Sequence, residues 1–158
     1  MRAIRVYVDT SVCGGVADKE FAEHSQQFFG CVQRGVFLLL ISTEVLRELT
    51  NAPDVVRDAF DQLLSEHVEM VSVDPEVEAL ADAYVLAGVI GQASRADAIH
   101  VAAATFAEAD MILSWNFKHI VNFNRIGKYN AVNVLNGYKA IEIRSPAEVV
   151  YDDNDKDL

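Results

Sequence analysis

With 158 residues, 51% of them apolar, the chain is long enough for one domain with a single buried core. Its formal net charge of −11 excludes a protein that holds nucleic acid on a broad basic face, because such binding draws on counterion release by Lys and Arg. The longest apolar run, residues 36–41, is far too short to span a bilayer, and the N-terminus lacks the zones of a signal peptide. No membrane association is expected, and the cytoplasm is the expected compartment.

Cys13 and Cys31 have no CxxC spacing and no further cysteines to pair with, so reduced thiols are expected and neither reads as a nucleophile. The charge is uneven. Residues 44–82 carry eleven acids against Arg47 and Arg57, whereas 114–150 carry five Lys or Arg against Glu142 and Glu148. Residues 1–150 read as one domain without linker or repeat, and 151–158 as an acidic C-terminal tail.

In chain order, residues 4–9 (IRVYVD) are an apolar, β-branched strand that ends on a carboxylate followed by Thr10 and Ser11. A turn at Gly14-Gly15 leads to an amphipathic helix over 21–33, closed by Gly35. The run 36–41 is a second strand, apolar on both faces as a covered sheet requires. Ser42 is a candidate N-cap for the next helix, on which Glu44 and Glu48 lie four apart on one face. Pro53 precedes a helix over 54–65, and 68–73 is a short strand before a helix over 76–87. The Ala-rich segment 94–109 is a closely packed helix, and 111–113 a short buried strand ending at Ser114-Trp115-Asn116. The Asn-rich stretch 116–136 shows no clear period, and 140–143 is a last strand before Pro146. Alternating strand and helix points to an α/β fold with a mainly parallel sheet covered on both sides. Ligands in such folds gather beyond the carboxyl ends of the strands.

Three acids stand where that geometry would converge them: Asp9 after the first strand, Glu44 or Glu48 beyond the second, and Asp97 near the start of the Ala-rich helix. An isolated carboxylate in an apolar setting costs several kcal/mol, roughly, unless it is paired, protonated or metal-bound. Each acid also has a plainer reading. Asp9 could cap the helix that follows it; Asp97 could complete a capping box with Ser94; Glu44 sits in a first helical turn, where negative charge suits the dipole. Glu48 could be a solvated residue or pair near Arg47. His100, three residues after Asp97 in an apolar helix, reads as a satisfied core histidine, and Asp110 as a turn residue. Trp115 could stack on a base or cover the edge of the core.

The ordered set VYVDTSV, LLISTEVLREL, SRADAIHVAAA and ADMILSWNFKHI resembles the PIN-domain nucleases, over residues 4–143. The resemblance implies a PIN-like three-layer α/β/α fold and a metal-dependent endoribonuclease. Asp9, Glu48 and Asp97 then hold Mg²⁺ or Mn²⁺, with Thr10 or Ser11 orienting Asp9. Hard oxygen ligands suit those cations, and no Cys/His cluster or HExxH pattern offers a zinc site. Asn116 stands where the family usually has a fourth acid; its carbonyl oxygen can support the metal shell but brings no charge. Lys118 and His119 beside it are candidates to receive phosphate. The resemblance also implies a toxin of a bacterial toxin-antitoxin pair, with RNA as substrate, an antitoxin protein as partner and a possible homodimer. The alternative is a catalytically degraded PIN-like module that binds RNA or protein. A haloacid-dehalogenase-like phosphatase is disfavoured, since its nucleophile loop needs a second Asp where Ser11 stands.

Overall fold

The structure is a computed structural model that describes residues 3–63 and 68–149. The end of the helix expected to reach residue 65 and the tail 151–158 lie outside the described residues. Among the described residues five strands form one sheet: β1 (Ile4–Val8), β2 (Phe37–Ser42), β3 (Val68–Val71), β4 (Met111–Leu113) and β5 (Glu142–Arg144). Their order is β3-β2-β1-β4-β5, and every neighbouring pair is parallel. β1 is central, with Tyr7 beside Leu40 of β2 and Ile112 of β4. From β1 the chain builds outward to β3 and then returns to add β4 on the other side, so the switch point lies at the carboxyl ends of β1 and β4.

Among the described residues seven α-helices cover the two faces: α1 (Thr10–Gly15), α2 (Ala22–Gln33), α3 (Thr43–Leu49), α4 (Asp54–Leu63), α5 (Pro75–Leu86), α6 (Arg95–Phe106) and α7 (Phe123–Leu135). Side-chain alternation along β1 divides the core. Val6 and Val8 pack with α1 to α4 on one face, while Tyr7 packs with α5 to α7 on the other. The Ala-rich stretch of α6 is buried from Ala98 to Thr105, because small side chains let this helix lie close to both the sheet and its neighbours. Gly35 adopts φ +79° after α2, a left-handed close that favours glycine.

Two elements depart from the sequence reading. Residues 10–15 form α1 where a turn was expected, and the Asn-rich stretch contains α7. The period of α7 is hidden because inward positions are polar. Asn130 donates to the Ile141 carbonyl (3.0 Å) and accepts from the Ile141 N–H (2.8 Å), while Asn133 accepts from the Tyr84 hydroxyl and donates to Thr105 (3.3 Å). Asn122 caps the helix by accepting from Asn124 N–H (3.0 Å). The strands at 68–71 and 142–144 are each shifted or shortened against expectation. Among the described residues no helix is long and apolar enough to cross a membrane.

Close approach fixes one glycine. A Cβ at Gly15 would sit 2.5 Å from Ser25 Oγ and 2.8 Å from Trp115 Nε1, between the two partners of a buried 2.9 Å hydrogen bond. A Cβ at Gly14 would meet nothing within 4 Å. Gly15→Ala is therefore expected to destabilise the protein by about 1–3 kcal/mol, and Gly14→Ala to be neutral or stabilising by up to about 1 kcal/mol. Thermal unfolding of the two variants checks this; equal melting temperatures would refute it.

Candidate active site

Asp9 follows β1 and occupies the N-cap position of α1, but its side chain makes no cap bond. The capping reading is thereby overturned. The carboxylate, 3% exposed, instead accepts from Ser11 Oγ at Oδ1 (2.6 Å) and from Ser114 Oγ at Oδ2 (2.6 Å). Ser114 directly follows β4, so this second bond spans the switch point of the sheet. Both hydroxyls are themselves held: Ser11 Oγ accepts from Trp115 N–H (2.9 Å) and Ser114 Oγ from Asn116 N–H (2.9 Å). Burial pushes the Asp9 pKa up, against the opposing pull of His100, the two hydroxyls and the Val12 backbone. Burial and the Asp9 charge also push the Cys13 thiol up, which leaves it without nucleophilic character.

Glu48 lies near the end of α3, a helix capped by Ser42 Oγ accepting from Val45 N–H (3.4 Å). One oxygen, Oε1, takes both Thr10 Oγ1 (3.0 Å) and His100 Nε2 (2.5 Å). Burial raises the Glu48 pKa, but the His100 and Thr10 hydrogen bonds and the positive charge nearby outweigh it, so the net shift is downward. His100, 2% exposed, shows the mirror balance: burial lowers its pKa, while Glu48 and Asp9 raise it further, and the net shift is upward. Its other nitrogen, Nδ1, meets the Tyr7 hydroxyl at 2.7 Å, and that hydroxyl bonds Ser42 Oγ at 2.7 Å. His100 is satisfied and buried, as its apolar helix suggests, but its partner is a site acid. Glu44 is paired with Arg47, which donates to its two oxygens at 3.0 and 2.5 Å.

Asp97, in the first turn of α6, is half-buried and accepts from His119 Nδ1 (3.1 Å). The Ser94 capping box is absent: Ser94 makes no side-chain cap bond. Asn116 Oδ1 accepts from the N–H groups of Lys118 (3.2 Å) and His119 (2.9 Å), so its carbonyl shapes its own turn. That turn, anchored by the Tyr129 hydroxyl on the His119 carbonyl (2.8 Å), sets His119 against Asp97. Lys118 is exposed beside them. Trp115 is buried, stacked on Phe21 (4.3 Å, 17°), and covers the core edge rather than offering a face to a base. Asp110 accepts from the Arg5 N–H (2.8 Å) beside β4.

The structure thus draws Asp9 and Glu48 toward one buried histidine, and ties Asp97 to the rim through His119. Among the described residues, no group of three His, Cys, Asp or Glu side chains is arranged to hold a metal ion. The donor chemistry still fits a hard cation. Asp9 is a desolvated carboxylate ringed by hydroxyls, Glu48 Oε2 takes no hydrogen bond among the described residues, and Mg²⁺ commonly binds through one or two carboxylates, waters and substrate phosphate.

Comparison with solved structures finds VapBC2 of Rickettsia felis, determined bound to a DNA fragment from its promoter, at 17% identity and a TM-score of 0.54, covering 73% of this chain and 90% of that one. VapC20 of Mycobacterium tuberculosis, a toxin that cleaves the sarcin-ricin loop, matches at 16% identity and a TM-score of 0.56, over 72% of this chain and 92% of that one. The fold is PIN-like. No protein-family model and no curated protein sequence matches the chain. In this PIN-like chain the sequence reading has His100 as a satisfied core histidine and Ser42 as a helix cap, both as found, but it misses their link through Tyr7 to Glu48 and the bond from Ser114 to Asp9. The signals were slight, namely a hydroxyl at the end of a strand opposite Asp9 and a histidine one turn after Asp97.

The pKa directions give a stability signature for metal-free protein. Glu48, lowered, contributes above its ordinary value of about 4.5 and loses that contribution as pH falls. His100, raised, contributes fully below about 6.5 and loses it as pH rises through its folded value. Asp9, raised, also favours the folded state less as pH rises. The melting temperature in EDTA is expected to peak between about pH 4.5 and 6.5 and to fall toward pH 8.5, with a shallower alkaline fall in His100→Gln. A wild-type value that climbs from pH 6 to 8.5 would contradict the assignment.

Proposed function

We propose that this chain is a metal-dependent endoribonuclease that hydrolyses RNA phosphodiester bonds with water, as the toxin of a toxin-antitoxin pair. One observation carries the reading: a buried carboxylate, Asp9, bridges β1 and β4 at the point where such sheets bind ligands. The PIN-like fold and a neighbour that cleaves the sarcin-ricin loop support RNA as the substrate class. The neighbour solved as VapBC2 supports an antitoxin partner; a homodimer belongs to the same proposal. We place the protein in the cytoplasm, consistent with two buried free thiols.

Asp9 and Glu48 would hold Mg²⁺ or Mn²⁺, with Asp97 completing the acidic wall from α6. When bound, the ion supplies a water of lowered pKa and neutralises charge that grows on the phosphate. The protein's own groups do the rest. Ser11 and Ser114 fix both Asp9 oxygens, and Thr10 fixes Glu48. Lys118 and His119 stand at the rim as positive or donating groups for phosphate, with His119 held at Nδ1 by Asp97 and making no bond at Nε2 among the described residues. Asn116 serves the site by building the turn that carries both. No protein nucleophile is needed.

The second reading, a degraded module that binds RNA or protein without cutting, draws on that same Asn116 and on the three acids not forming one shell. Purified protein with single-stranded RNA and Mn²⁺ separates the two. Cleavage that EDTA abolishes, and that Asp9→Asn lowers by about 100-fold or more, corresponding to roughly 3 kcal/mol of lost charge stabilisation, is expected. Binding without cleavage in any divalent metal would favour the module.

A further inference from the structure

We propose that His100 is a positioning residue which, braced by Tyr7 and Ser42, fixes one oxygen of Glu48 so that the other is presented to a divalent cation; the inference rests on the metal-dependent reading above. The connectivity is a closed ring. Ser42 begins α3 and Glu48 lies near its end; Tyr7 bonds the first through its hydroxyl, and His100 bonds the second. Both ends of α3 are thereby tied to the same pair of buried side chains. A seven-residue helix has little stability of its own, and this ring sets the rotation of α3 about its axis, hence the direction of Glu48.

The hydrogen bonds on Glu48 are uneven. His100 Nε2 and Thr10 Oγ1 converge on Oε1, from the sheet's two opposite faces, and Oε2 accepts nothing among the described residues. Donation to a single oxygen is how an outer partner orients a ligating carboxylate while leaving its second oxygen open. Behind the imidazole stand two buried hydroxyls in line, Tyr7 and then Ser42. Leaving any member of such a network unpaired is costly, so the whole relay is held or lost together.

The test is Mn²⁺ titration of the full chain by calorimetry, with melting temperatures of the metal-free proteins and RNA-cleavage kinetics alongside. His100→Leu is expected to weaken Mn²⁺ binding about 10- to 100-fold. His100→Gln, which can still donate to Oε1, is expected to recover part of that loss. Tyr7→Phe removes the brace and keeps the ring in the core, so it is expected to weaken Mn²⁺ binding in the same direction by a smaller factor. RNA KM is expected to change less than the Mn²⁺ requirement. A lowered melting temperature with unchanged Mn²⁺ affinity in the Gln and Phe variants overturns the proposal and leaves His100 as packing. Tighter Mn²⁺ binding in His100→Leu overturns it too, because the imidazole would then be a competitor of the ion. Wild-type protein that takes up no Mn²⁺ refutes the metal reading itself, and this proposal with it.

Discussion

The burial of the Asp9 carboxylate at the end of a central strand is the constraint on which the site depends. Desolvating such a charge costs several kcal/mol, roughly. The compensation comes first from the buried His100 nearby and then from hydroxyls at fixed places: Ser11 in the first turn of α1 and Ser114 just after β4. Each hydroxyl accepts a backbone N–H from the segment after β4, so the carboxylate organises that segment as well. The same segment carries Trp115, whose indole bonds Ser25 on α2, which in turn leaves no room for a side chain at Gly15. The demands of one charge thus reach from the switch point of the sheet to the packing of two helices.

Two acid–histidine pairs then divide the remaining work. Glu48, half-buried, is paired with the fully buried His100, for which Tyr7 and Ser42 complete the hydrogen bonding. Asp97 and His119 are paired at the rim, half-buried, within reach of Lys118 and solvent. The first pair fixes one oxygen of a carboxylate, and the second joins α6 to the turn after β4.

Asn116 sets the character of this edge. An amide oxygen that caps the N–H groups of Lys118 and His119 stabilises a turn, which a carboxylate there could also do, but without adding charge to the cleft. The turn after β4 thereby carries Lys118 and His119.

The strand β2 is legible in the sequence because it is a short, nearly unbroken apolar run of the kind a covered parallel sheet requires, and β1 because its β-branched and aromatic residues are interrupted only by Arg5. The helix α7 is not, because Asn130 and Asn133 occupy inward positions and their value lies in bonds to Ile141, Tyr84 and Thr105, partners that only folding supplies. The same division runs through the site. Sequence by itself places Asp9, Glu48 and Asp97 at the ends of elements that an α/β fold brings to one edge, since strand ends and helix starts follow from local pattern. The tertiary structure alone decides that Glu48 faces His100, that Asp97 faces His119, and that Ser114 closes on Asp9. A hydrogen bond depends on a few tenths of an ångström between residues up to 105 positions apart, and no local pattern encodes that distance.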